Sequence, residues 1–204
     1  PAQNETLVDA LCRAIDMNID SGVSVVGSRG EETKISYADL LEKAEAKLVG
    51  LRSRGLTKGD VCLLILETDL ECLSTFWGCI LGGIRPALIA PPLAGKGHED
   101  FGRRLIPVWE SLQRPMIVAQ PALGEVLPGV ISDLTRGAIA ECVTIDSLGA
   151  KRNRDVVWSP AHPGDTAFIQ FSSGSTGTPK GVCLTHQNVL KDMAGMLEHR
   201  GGTC

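Results

Sequence analysis

Val61-Cys62-Leu63-Leu64-Ile65-Leu66 is an unbroken apolar run. A strand with one wet face alternates polar and apolar residues, so a run without alternation reads as a central strand covered on both faces. Such a strand needs helices on two sides, and its neighbours supply them. Ser36 starts a helix, with Asp39 three residues on as an acidic stand-in for the capping partner. Leu40, Leu41, Ala44, Leu48 and Leu51 form its apolar stripe, and Gly55 is its natural stop. After the run, Asp69 to Leu81 reads as a helix ended by Gly82-Gly83, and Ile84 to Ile89 as the next strand. Pro115 to Gln120 and Cys142 to Ile145 give two more strands. Phe101 to Leu112 is helical in pattern, but Pro107 predicts two short pieces or a kink. Leu123 to Thr135 reads as a weaker helix, broken near Pro128-Gly129. Strands alternating with helices imply an α/β fold with a mainly parallel sheet flanked by helices.

Upstream, Glu5 to Asn18 reads as a helix with Leu7, Leu11, Ala14 and Ile15 on one face. Val23 to Val26 and Thr33 to Ile35 predict a hairpin. Gly149 to Gly164 is a charged, proline-bearing connector. Near the end, Val189, Leu190, Met193 and Leu197 predict one apolar helical face.

The chemistry concentrates between Thr166 and His186. Thr166 to Phe171 reads as a buried strand, and Val182 to Leu184 returns to strand composition. The ten residues between, Ser172 to Gly181, hold three serines, two threonines, three glycines, one proline and one lysine. Gly174 and Gly177 permit positive φ, so successive N–H groups can face one concavity. Ser172, Ser173, Ser175, Thr176 and Thr178 add hydroxyl donors, and Lys180 adds a positive charge after the stiff Pro179. This is phosphate-holding chemistry, and the strand end is where open α/β sheets bind ligands. It is not the common GxxxxGK[ST] loop, since Pro179 precedes Lys180 and Gly181 follows it. It lacks the GxGxxG dinucleotide spacing and a G-x-S-x-G nucleophile elbow, so Ser175 is not read as a nucleophile. A plain Ser/Gly linker would need neither strand-like flanks nor a placed lysine.

SSGSTGTPKGV followed by LTHQN resembles the signature phosphate loop of the adenylate-forming superfamily, which includes acyl-CoA synthetases, fatty acyl-AMP ligases and peptide-synthetase adenylation domains. The resemblance extends upstream through ISYADLLEKAEAKLVGLRSRGLTKGDVCLLIL and GGIRPALIAPP. FIQFSSGSTG and FWGCILGGIRP look most like the fatty acyl-AMP ligase branch. The resemblance implies an ATP- and magnesium-dependent ligase. It would join a carboxylic acid to AMP and pass the acyl group to coenzyme A or to a carrier protein's phosphopantetheine. Ser172, Ser173, Gly174, Ser175, Thr176, Gly177, Thr178, Lys180 and Gly181 would hold the phosphates, with Ser172 or Thr176 supporting magnesium. It also implies that residues 1–204 are the amino-terminal part of a large AMP-binding domain. The adenine, ribose and catalytic-lysine motifs would come later, so the 204 residues alone would be inactive. An amino-acid-activating domain, a triphosphate hydrolase with a variant loop, and a non-catalytic docking module are the other readings.

A net charge of −4 offers no basic field for nucleic acid, and Lys151-Arg152-Asn153-Arg154 is the densest basic run. No apolar run nears the ~20 residues of a membrane span. Seven cysteines, an odd number without a C-x-x-C, read as reduced, packed thiols of a cytoplasmic protein. His98, His162, His186 and His199 show no metal spacing. His186, at a helix start, reads as a local first-turn hydrogen-bonding residue.

Overall fold

A computed structural model describes residues 5–17, 21–27, 30–92, 97–149, 156–172 and 179–200, with only the backbone of 197–200. Six strands form one sheet and two a separate hairpin. The hairpin pairs β1 (Gly22–Val26) with β2 (Glu32–Ser36) antiparallel, as the sequence predicts. The larger sheet has the order β6-β5-β3-β4-β7-β8. Its strands are β3 (Val61–Ile65), β4 (Arg85–Leu88), β5 (Met116–Ala119), β6 (Cys142–Thr144), β7 (Thr166–Ser172) and β8 (Lys180–Thr185). All neighbours are parallel except β7 and β8.

β3 is central, and its alternate residues feed two cores. Cys62 and Leu64 face the core built with α2 (Tyr37–Ser53) and α3 (Leu70–Gly82), including Leu48, Leu51 and Cys79. Leu63 and Ile65 face the core built with α4 (His98–Ser111) and α5 (Pro121–Thr135), including Phe101, Trp109 and Leu127. Both faces are dry, which is why the run carries no polar residue.

The caps follow the sequence. Ser36 Oγ accepts the Asp39 N–H at 3.0 Å and donates to the Asp39 carboxylate at 2.7 Å. Asp69 accepts the Cys72 N–H at 2.8 Å. Gly83 caps the other end of α3 at φ 64°, a left-handed conformation glycine adopts without strain. Replacing Asp69 by alanine should cost about 1 kcal/mol. Thermal melting should therefore fall by roughly 2–4 °C.

The two-piece alternative at Pro107 and the break near Pro128-Gly129 are corrected. α4 runs through Pro107 and α5 through Pro128 as single helices. Each proline frees only the carbonyl four residues back. Pro107 lies on the exposed face of α4, where water can take that bond, while Phe101, Leu105 and Val108 hold the opposite face in the core. Pro128 is half-buried between the buried Leu127 and Ile131, whose packing keeps α5 continuous.

The connector is less loose than its composition suggests. Trp158 donates its indole N–H to Glu45 at 3.0 Å, Arg52 donates to the Ser159 hydroxyl at 3.1 Å, and Ser159 N–H reaches the Leu81 carbonyl at 2.9 Å. Lys58 donates to the Pro160 carbonyl at 2.6 Å and pairs with Asp165 at 3.5 Å. These ties aim the chain into β7. The basic run at 151–154 lies outside the described residues.

Candidate functional site

β7 and β8 form an antiparallel ladder that ends with Ser172 opposite Lys180. The strands therefore reach further into the polar stretch than its composition predicts. The Ser172 hydroxyl lies 3.5 Å from the Lys180 carbonyl. Both side chains are exposed at the carboxyl end of β7, beside the carboxyl end of β4. Lys180 forms no ion pair among the described residues. Ser173, Gly174, Ser175, Thr176, Gly177 and Thr178 lie outside the described residues.

Gly181 has a packing reason to be glycine. It pairs with Phe171, and a Cβ there would stand 3.1 Å from the Phe171 ring. The ring packs against the α4–α5 core.

Behind the turn, Thr185 and Asn188 cap α6 (His186–Arg200) reciprocally. The Asn188 N–H donates to Thr185 Oγ1 at 3.1 Å, and Asn188 Oδ1 accepts from the Thr185 hydroxyl at 2.8 Å. His186 reaches far beyond its own turn, which corrects the local reading. Its Nδ1 accepts the N–H of Leu7, the first residue of α1 (Leu7–Met17), at 3.2 Å. A long-range partner of this kind leaves no spacing signal. An Nδ1 that accepts must carry no proton, so the neutral ring holds its hydrogen on Nε2. Leu7, Ile80, Ala167 and Leu190 pack together around this bond. Met193, predicted on that apolar face, is instead 52% exposed.

Burial lowers the His186 pKa, against the raising pull of the Asp165 and Asp9 carboxylates. The unfolded chain then binds a proton more readily than the folded one below the ordinary imidazole value of about 6.5. The stability contribution is therefore complete above that value and declines as the pH falls below it. Denaturant unfolding from pH 7.5 to 5 should show this decline, and His186→Asn should flatten it. Asp9 and Asp165 are both held below the usual carboxylate range, chiefly by hydrogen bonds from Thr6 and from the His162 N–H. Their contributions are lost only at more acid pH, below about 3.9.

A cavity of about 320 Å3 opens beside the turn. Ile89, Pro92, Phe101, Leu105, Val108 and Arg104 line it, and Pro179, next to β8, completes its wall. None of these was singled out from sequence as a site residue. The four- and three-residue spacing of Phe101, Leu105 and Val108 marks a helix face, which core packing alone explains.

Residues 20–203 match the family of AMP-binding enzymes. The chain belongs to that family. The aspulvinone E synthetase melA of Aspergillus terreus (strain NIH 2624 / FGSC A1156) is 29% identical over 181 residues, covering 84% of this chain and 18% of that protein. Among solved structures, McyG A-PCP complexed with phenylalanyl-adenylate superposes with a TM-score of 0.85 at 27% identity, over 97% of this chain and 31% of that one. A structure of fatty acyl-adenylate ligases from E. coli and L. pneumophila gives 0.75 at 28% identity, over 92% and 32%. This AMP-binding chain spans less than a third of the length of these relatives. Peptide-synthetase adenylation domains and acyl-activating ligases are both among its kin. No described helix is long and apolar enough to cross a membrane.

Proposed function

We propose that this AMP-binding chain holds the β- and γ-phosphates of ATP in an enzyme that activates a carboxylic acid. The observation that supports this most is the juxtaposition of Ser172 with Lys180, which has no ion-pair partner among the described residues, at a strand's carboxyl end in a member of the AMP-binding family. Ser173, Gly174, Ser175, Thr176, Gly177 and Thr178 would complete the cradle, and Gly181 would support it by seating Phe171. In the reaction a carboxylate oxygen attacks the α-phosphorus, forming acyl-AMP as the bond to pyrophosphate breaks. Lys180 offsets charge that builds on the leaving pyrophosphate.

The donor set suits a metal brought by the nucleotide. Among the described residues no group of three or more His, Cys, Asp or Glu stands ready for a metal ion. Magnesium would take phosphate oxygens and water, with one hydroxyl, from Ser172 or Thr176, beside them. The acid is proposed to be fatty, passed on to coenzyme A or a carrier protein's phosphopantetheine in the cytoplasm. The solved ligase and carrier-protein relatives support that reading. Residues 1–204 are proposed as the amino-terminal part of an AMP-binding domain. No carboxylate-dependent pyrophosphate exchange is expected from them alone.

Calorimetric titration with magnesium–ATP tests the cradle. A hydrogen bond to a charged group is worth about 1.5–3 kcal/mol. Lys180→Ala should therefore weaken binding at least tenfold without lowering the melting temperature. Equal affinity in the two proteins would remove the basis of the proposal.

A further inference from the structure

A second cavity, of about 330 Å3, opens at the amino ends of β4 and β7, the opposite edge of the sheet from Lys180. β7, seven residues long, separates the two edges by about 20 Å. Arg85, the first residue of β4, lines this cavity. A guanidinium has five N–H donors. One nitrogen of Arg85 donates to the Gly59 carbonyl. Its Nε is buried and meets no hydrogen-bond partner among the described residues. No carboxylate pairs with Arg85 among them either. A buried donor left without an acceptor is costly, and an anion in the cavity would relieve that cost. Lys58, Thr166 and His186 line the same cavity. The His186 Nδ1 is taken by Leu7, so the nitrogen it has left is a donor. Asp165 is the carboxylate of the lining, and it is engaged. Its Oδ2 accepts the His162 N–H at 3.0 Å and pairs with Lys58 at 3.5 Å. Two cations against one carboxylate leave a surplus of one positive charge. The backbone beneath is tied down: Gly59 N–H donates to the Gly83 carbonyl at 2.9 Å, and Arg85 N–H to the Asp60 carbonyl at 2.8 Å.

We infer that this cavity binds a single phosphate group, free or as the monoester of a small alcohol, with Arg85 as its chief partner. The planar fork of an arginine matches two phosphate oxygens at once. A surplus of one positive charge suits one phosphate and disfavours a polyphosphate, whose further charge would face Asp165. The volume equals about eleven water-sized units of 30 Å3, room for a phosphate and a three-carbon body. The site shares no residue with the ATP cradle and does not rest on the acid-activating reading.

Inorganic phosphate, glycerol 1-phosphate, pyrophosphate and acetate, each titrated calorimetrically into the 204-residue chain without nucleotide, give the test. Phosphate or its glycerol ester should bind saturably at one site, about tenfold or more tighter than acetate or pyrophosphate. The tighter of the two shows whether the free ion or an ester is the ligand. Arg85→Gln should weaken that binding about tenfold or more. Arg85→Lys, which keeps the charge and loses the fork, should not restore it. Lys180→Ala should leave it unchanged. If the Arg85 variants fail to fold, by circular-dichroism melting, the half-exposed Lys58→Gln decides, and it too should weaken phosphate. No saturable phosphate binding, acetate binding as tightly, or an affinity lost in Lys180→Ala and kept in Arg85→Gln or Lys58→Gln overturns the inference. The magnesium–ATP titration is separate. ATP binding without phosphate binding sinks this cavity site alone, and the converse sinks the ATP cradle alone.

Discussion

Trp109→Ala should destabilise the fold by about 3–5 kcal/mol, the range for deleting a large buried aromatic. The melting temperature should then drop by about 6–20 °C. Trp109 is fully buried in the α4–α5 core beside Phe101, Leu105 and Ile117. Its second task is at the end of α4. The indole N–H donates to the Pro115 carbonyl at 2.9 Å, and the Trp109 carbonyl accepts the Arg114 N–H at 2.8 Å. Between them Gln113 and Arg114 both hold positive φ, at 64° and 59°. Non-glycine residues resist that conformation, so the turn depends on the bonds that bracket it. The Arg114 guanidinium also lies 5.4 Å from the indole ring centroid. Trp109→Phe separates the two roles, since it keeps most of the burial and loses the N–H. Its cost should be nearer the 1–3 kcal/mol of an unsatisfied buried acceptor. Equal losses for the two variants in urea unfolding would mean that the hydrogen bond governs the site and the packing does not.

Gly50→Ala should also destabilise, against helix propensity. In an exposed helix interior the change gains up to about 1 kcal/mol. Here a Cβ would stand 1.9 Å from the Leu148 carbonyl oxygen, which is backbone and cannot rotate away. The 3-10 turn Ile145–Leu148 rests on this face of α2 at three points. Lys47 Nζ donates to the Ile145 carbonyl at 3.4 Å, Gly50 touches Leu148, and Arg54 donates to the Ser147 carbonyl at 3.4 Å. Residues 47, 50 and 54 share one helical face, so moving the turn off Gly50 loosens all three contacts. Overpacking of this kind costs about 1–3 kcal/mol, more than the propensity gain. A Gly50→Ala protein melting higher than wild type would show that the turn shifts freely.

Much of the fold was legible because local and global preferences agree in it. The run at 61–66 implied two dry faces, and both exist. Ser36, Asp69 and Gly83 cap helices where their side chains or backbone freedom predict. Pro107 and Pro128 misled because a proline's cost depends on where the freed carbonyl points, and sequence does not carry that. Met193 misled because periodicity marks an apolar face without saying that a neighbour covers it. At the site, Ser172 and Lys180 were legible from composition and flanking strands. Gly181 was legible as glycine, but its packing beneath Phe171 needed the cross-strand register.

The bond between Leu7 and His186 also orders events in time. On the ribosome α1 emerges before α6, and the imidazole that takes its leading N–H follows 179 residues later. At roughly 5–20 residues per second that is an interval of about 10–40 s. For that time the Leu7 N–H is left to water, while α1 can already pack against α2 and α3. Closure of this bond is then a late event that reports synthesis of the β7–β8 hairpin.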